Sequence, residues 1–230
     1  MVIITLIFTL VAALVPAMIW LVFFLKEDVH PEPRRLIIYT FNVGILVSLL
    51  VLAAQVIFQN TIGTLFESTI VAIIGLALIE EIFKFLAAYW AVHNDPAFDE
   101  PIDAMIYTIA AALGFATVEN FFIFANLANA TDILVIPNIL RAVSLRFVGA
   151  TLLHVLAAAL IGYYWALDHR RGPFTKMVVV GLLLATFIHA VFNYLILKFQ
   201  AVNLLYPSLF LIIATFFILN DFEKLKTIKE

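Results

Sequence analysis

The sequence predicts an all-α fold, a polytopic transmembrane bundle of about seven helices, on three observations. Of its 230 residues 65% are hydrophobic and 13% charged, against roughly 45–50% and about 25% in a soluble domain. Apolar runs of 18 residues or more, the length that crosses a bilayer as a helix, recur along almost the whole chain. The segments between them are short and polar, so residues 1–230 read as one integral-membrane domain in a multi-pass membrane protein. The net charge of −3, with no basic run, excludes nucleic acid as a partner. The absence of cysteine excludes disulfides, thiolate metal sites and cysteine nucleophiles.

Breaks at charged, proline and asparagine clusters delimit the elements. The first, Val2–Leu25, lacks the basic flank and small-residue cleavage site of a signal peptide and is expected to span. "KEDVHPEPRR" separates it from Leu36–Phe58, and "QNTIGT" separates that helix from Leu65–Val92. "HNDPAFDEP" leads into Ile102–Leu127. After "NATDILVIPN" comes Ala142–Leu167, with Ala130–Leu140 as a candidate interfacial helix. "DHRRGP" and "KFQAVN" set off Thr175–Leu197 and Leu204–Leu219. Counting basic residues predicts an outside N-terminus and a cytoplasmic C-terminus. Lys26, Arg34, Arg35, Arg170, Arg171, Lys176, Lys224, Lys226 and Lys229 then lie inside and only Arg141, Arg146 and Lys198 outside.

Ionisable groups interrupt this apolar plan. The third helix carries Glu80, Glu81 and Lys84, the fourth Glu119 and Asn120, the fifth His154, and the sixth His189 with Asn193 one turn on. An acid at mid-bilayer costs about 3 kcal/mol on insertion scales, so such groups face protein or a water-filled cavity and mark function. At about 1.5 Å per residue, Glu80 lies roughly 18 Å from the inner end of its helix, His154 and His189 about 20 Å, and Glu119 and Asn193 near 26 Å. Four antiparallel helices thus deliver polar groups to one slab of the membrane. Glu80 and Glu81 diverge by about 100°, and Lys84 can pair with either. One reading makes Glu81 and Lys84 a structural ion pair, and another makes Asn120 and Asn193 interhelical hydrogen-bond partners. Arg146 either anchors a helix end by snorkelling or holds a substrate or a carboxylate of the site.

Buried carboxylates and imidazoles suit the activation of water and the stabilisation of an oxyanion, hence hydrolysis of a carbonyl. The same set would suit a divalent metal such as zinc, although HExxH spacing is absent, or a proton path in a transporter. His30, His93 and His169 fall in loops and read as solvated. Trp20, Trp90, Trp165, Tyr163 and Tyr164 read as an interfacial belt.

The order EExxK at Glu80–Lys84, "DEPIDAMIYTIAAALGFATVENF" at Asp99–Phe121, "RFVGATLLH" at Arg146–His154 and HxxxN at His189–Asn193 resembles the PrsW family of intramembrane proteases. That family is distantly related to the CAAX-type proteases and to the APH component of gamma-secretase. The resemblance implies an endopeptidase acting on membrane-anchored protein substrates such as anti-sigma factors. Glu80 would be the principal catalytic acid, with Glu81 in support, Glu119 the second carboxylate, and His154 and His189 the motif histidines. The family pattern often ends HxxxD where this chain has Asn193, and CAAX-type relatives have FxxxH where it has Phe115 and Glu119. The resemblance is compatible with a glutamate-type and with a metal-dependent mechanism. The competing functions are a proton-coupled transporter, a non-catalytic scaffold and a CAAX-type prenyl-protein protease.

Overall fold

The computed structural model describes residues 2–63, 69–128, 135–168, 172–199 and 205–227, and among these every regular element is helical. The helices are α1 (Val2–Phe24), α2 (Arg34–Phe58), α3 (Thr69–Val92), α4 (Pro101–Ala128), α5 (Val135–Arg146), α6 (Leu152–Leu167), α7 (Lys176–Phe199) and α8 (Leu205–Lys226). A five-residue π-helical segment, Phe147–Thr151, joins α5 to α6, so the two form one rod, and a second, Gln59–Gly63, extends α2. Six of the seven rods are long and apolar enough to cross a bilayer. The seventh, α3, has the same length but carries Glu80, Glu81 and Lys84. The fifth rod begins at Val135 rather than Ala142. Residues 135–140 of the expected interfacial helix are its first turns, and residues 130–134 lie outside the described set, as does His169.

The centre of the bundle is α4, which packs against α1, α2, α3, α5, α6 and α8. Every residue from Ile102 to Thr117 is buried, as expected of a helix apolar all round. The approach of α2 to α4 is close enough that a Cβ on Gly44 would overlap the Ala111 carbonyl, and one on Gly114 the Phe41 carbonyl. Small residues permit such contact where lipid tails remove any hydrophobic drive between helices. Trp90 is 73% exposed, as a belt residue would be, but Trp165 is fully buried against Phe85, Tyr89 and Phe98. Its position near a helix end misled because the loop after α3 folds over it. Trp20 also departs from the belt: its Nε1 donates to the Phe147 carbonyl (2.8 Å) and its ring stacks on Phe147, tying α1 to the π-segment.

At one end of the bundle the α1–α2 loop is fastened by acids. Asp28 accepts the backbone N–H groups of His30 and Glu32, and the Tyr107 hydroxyl donates to Glu32. Asp103 accepts those of Asp99 and Glu100 at the start of α4. His30, exposed as expected, pairs with Glu100, and His93 stacks on Tyr89. Burial pushes the Asp28 and Glu32 carboxyls above their ordinary range. A raised folded-state pKa means the fold binds that proton more tightly than the unfolded chain does. Stability from these groups is therefore present below the unfolded value and is lost as pH rises through the raised one. Glu32→Gln, which keeps an acceptor for Tyr107, is expected to unfold at a higher temperature than wild type at pH 8. The gap should close toward pH 5 in detergent thermal scans. A gap that widens on acidification would contradict the assignment.

Candidate active site

The ionisable residues of α3, α4, α6 and α7 meet at one wall of a cavity of about 400 Å³, which Glu80, Glu119, Arg146, His154, His189 and Asn193 line. One acceptor atom from each of Glu80, His154 and His189 falls within 4.8 Å of the others, and the two imidazoles lie edge to face at 5.3 Å. The depth coincidence read from the sequence is thus a spatial one.

On α3 the two glutamates part as their 100° offset requires. Glu81 is fully buried, and its Oε1 accepts from Lys84 Nζ (2.6 Å) and meets His189 Nδ1 (2.6 Å). Glu80 turns to the cavity. Gln55 of α2 donates to its Oε1 (2.9 Å), and its Oε2, buried without a hydrogen bond, faces His189 Nε2 at 3.8 Å. Lys84 also donates to His154 Nδ1 (2.9 Å), and its ammonium lies over the Phe115 ring. The His154 Nε2–H therefore donates to Glu119 Oε2 (2.7 Å), because the Lys84 contact fixes the tautomer. Glu81 fixes the His189 tautomer in the same way, leaving Nε2 as the free face of that ring.

Arg146 belongs to this network and is no snorkelling anchor. It reaches Glu119 Oε2 at 3.0 Å and donates from Nε to Asn120 Oδ1, while Asn120 donates to Thr151 Oγ1 (3.2 Å). The π-segment makes this possible. Residues 146 and 154 on a regular α-helix would stand about 80° apart. One α-turn of 3.6 residues plus one π-turn of about 4.4 spans the eight positions and returns both to one face. Asn193 lines the cavity, and among the described residues its amide finds no protein partner. Gln55 is the site residue that sequence reasoning missed; an amide near the end of an apolar span, as Asn42 is near its start, was its only signal.

The set suits a divalent metal in part. Imidazole nitrogen with carboxylate oxygen is a zinc donor set. Glu80 Oε2 is an orphaned buried acceptor, and His189 Nε2 is backed by a carboxylate on its other nitrogen, as metal-bound histidines usually are. His154 has both nitrogens engaged and would join them only by exchanging its Glu119 contact.

The family model described as "PrsW family intramembrane metalloprotease" matches residues 32–220. Among curated proteins, "Protease PrsW" of Geobacillus kaustophilus is 28% identical over 180 residues, covering 76% of this chain and 73% of its own. Its counterpart in Oceanobacillus iheyensis is 26% identical over 196 residues, 84% and 85% of the two chains. That of Bacillus subtilis is 23% identical over 183, 76% and 75%. No solved structure matches the chain significantly.

Proposed function

The chain belongs to the PrsW family of intramembrane proteases, and from that premise we propose that the cavity between α3, α4, α6 and α7 hydrolyses a peptide bond of a membrane-anchored protein, anti-sigma-factor-like in type. The observation that carries this is the convergence of Glu80, His154 and His189 within 4.8 Å on an open cavity in an otherwise apolar bundle. Membership in a protease family favours hydrolysis over the transporter and scaffold readings, and the activity assay below separates them.

Glu80 lines the cavity, and its Oε2, buried and without a hydrogen-bond partner, takes the proton of a water whose oxygen adds to the scissile carbonyl carbon. His189 Nε2, fixed by Glu81, positions that water beside Glu80. The unpartnered Asn193 amide donates to the oxyanion that forms. As the C–N bond breaks, the proton held on Glu80 passes to the leaving amine. Glu119, neutralised by Arg146, keeps the His154 Nε2–H directed at itself and the ring upright against Phe115. A zinc-like ion, where bound, would be held by Glu80, His189 and a released His154, and would supply Lewis-acid polarisation. The reading puts the α1–α2 loop, and with it the C-terminus, on the cytoplasmic side, an orientation that the basic residues Lys26, Arg34 and Arg35 favour.

In detergent with a membrane-anchored substrate, His189→Ala is expected to lower kcat/KM by about 10²-fold or more. Chelation of the wild type separates the two mechanisms: loss of activity restored by added zinc identifies the metal route, and unchanged activity identifies Glu80 acting alone. Full activity in His189→Ala would overturn the site.

A further inference from the structure

Glycine weakens a helix relative to alanine, so a helical glycine calls for a reason, and here packing supplies most of them. Gly44, Gly114 and Gly162 each sit where a Cβ would collide with the backbone of a neighbouring helix. Gly149, in the π-segment, does not: an added Cβ would meet only Phe192 Cζ, at an ordinary 3.5 Å. What the missing side chain leaves open is the cavity, which Gly149 lines together with Ala150. Phe192, 4% exposed and three residues after His189, forms the facing wall. Beyond the Glu–His end the lining is apolar apart from Ser208 and Asn193, and Val148 and Ile196 at its edge are 53% and 36% exposed. Past Arg146 the lining carries no charged group, so an apolar occupant suits the recess better than a charged one.

We propose that Gly149 and Phe192 form a size-selective subsite, in which the space over Gly149 receives an uncharged apolar side chain of the substrate residue next to the scissile bond. This rests on the protease reading of the cavity and adds its specificity. Two features support a built recess. The π-turn, a device common at functional sites, presents residue 149 to the cavity on the same segment that returns Arg146 to the site. Phe192 adjoins Asn193, so the wall that measures the side chain is fixed beside the group assigned to the oxyanion. A valine at 149 adds three carbons, each of about the 30 Å³ share of a water molecule, to a cavity of about 400 Å³.

The test is a series of membrane-anchored substrates carrying Ala, Val, Leu or Phe at each residue flanking the cut in turn, with the full-length protein in detergent. In Gly149→Val the ratio of kcat/KM for Leu over Ala is expected to fall at least tenfold relative to wild type at one of the two positions, the scale on which pockets discriminate methylenes. Gly149→Ala should fall between, and Phe192→Ala should shift the preference toward Phe. Thermal unfolding of each variant within a few degrees of wild type separates selectivity from misfolding. Ratios unchanged at both positions, or equal losses for all substrates in a folded Gly149→Val protein, would overturn the inference while leaving the catalytic assignment intact. Cleavage that survives Glu80→Gln would overturn the assignment and the subsite together.

Discussion

Glu80→Gln is expected to lower kcat/KM for cleavage of a membrane-anchored substrate by about 10²–10⁴-fold, the range supplied by a positioned general base, with little change in folding. The substitution is nearly isosteric. Gln55 now donates to Glu80 Oε1, and an amide oxygen at that position accepts the same bond. What is lost is the basic Oε2 that faces His189 and Lys84 at 3.8 and 4.0 Å. Glu81→Gln should behave differently, since Glu81 is fully buried and does not line the cavity that Glu80 lines. Its effect passes through His189 and Lys84, so it should cost stability together with rate. Steady-state kinetics and thermal scans on the same preparations separate the two glutamates. Equal kinetic losses without a stability difference would show that their roles have been divided wrongly.

The largest expected effect on stability is that of Lys84→Met. Lys84 is 1% exposed and bridges Glu81 and His154. Removing one member of a buried ion pair strands the other, at about 3–5 kcal/mol. For a chain of this size that corresponds to a fall of roughly 10 °C in Tm. Lys84→Met combined with Glu81→Gln removes both charges, and part of the loss should return. A single mutant as stable as wild type, or a double mutant worse than the single, would contradict the pairing.

How much was legible in the sequence differs by element. The bounds of α1, α2 and α7 follow from hydropathy and proline breaks and agree with the structure within about two residues. The common depth of Glu80, His154 and His189 was legible because helical rise is constant. The position of Arg146 was not, because a π-turn shifts every later side chain and leaves no mark in residue periodicity. Regular 3.6-residue winding sets Arg146 about 80° from His154, and an arginine at a helix end commonly snorkels. Trp165 was misplaced for another reason: burial at a helix end depends on the loop that covers it, and residues 93–100 form that cover around Phe98. The Asp28–Glu32–Tyr107 fastening was invisible since its partners lie 75 positions apart. Glu119 within the "GFATVEN" block was found by motif, but its Arg146 partner gives the carboxylate its setting.

The proposed function requires that water activated at Glu80 cleave a peptide bond of the membrane-anchored substrate in this protein's own cavity, without any other enzyme. Purified wild type and Glu80→Gln, each in proteoliposomes with a membrane-anchored substrate, are incubated in ¹⁸O-labelled water and the products weighed by mass spectrometry. The account predicts a single cut by wild type with one ¹⁸O in the new C-terminal carboxylate, and intact substrate with Glu80→Gln. The same labelled product from Glu80→Gln, or no cut by the wild-type protein, would contradict it.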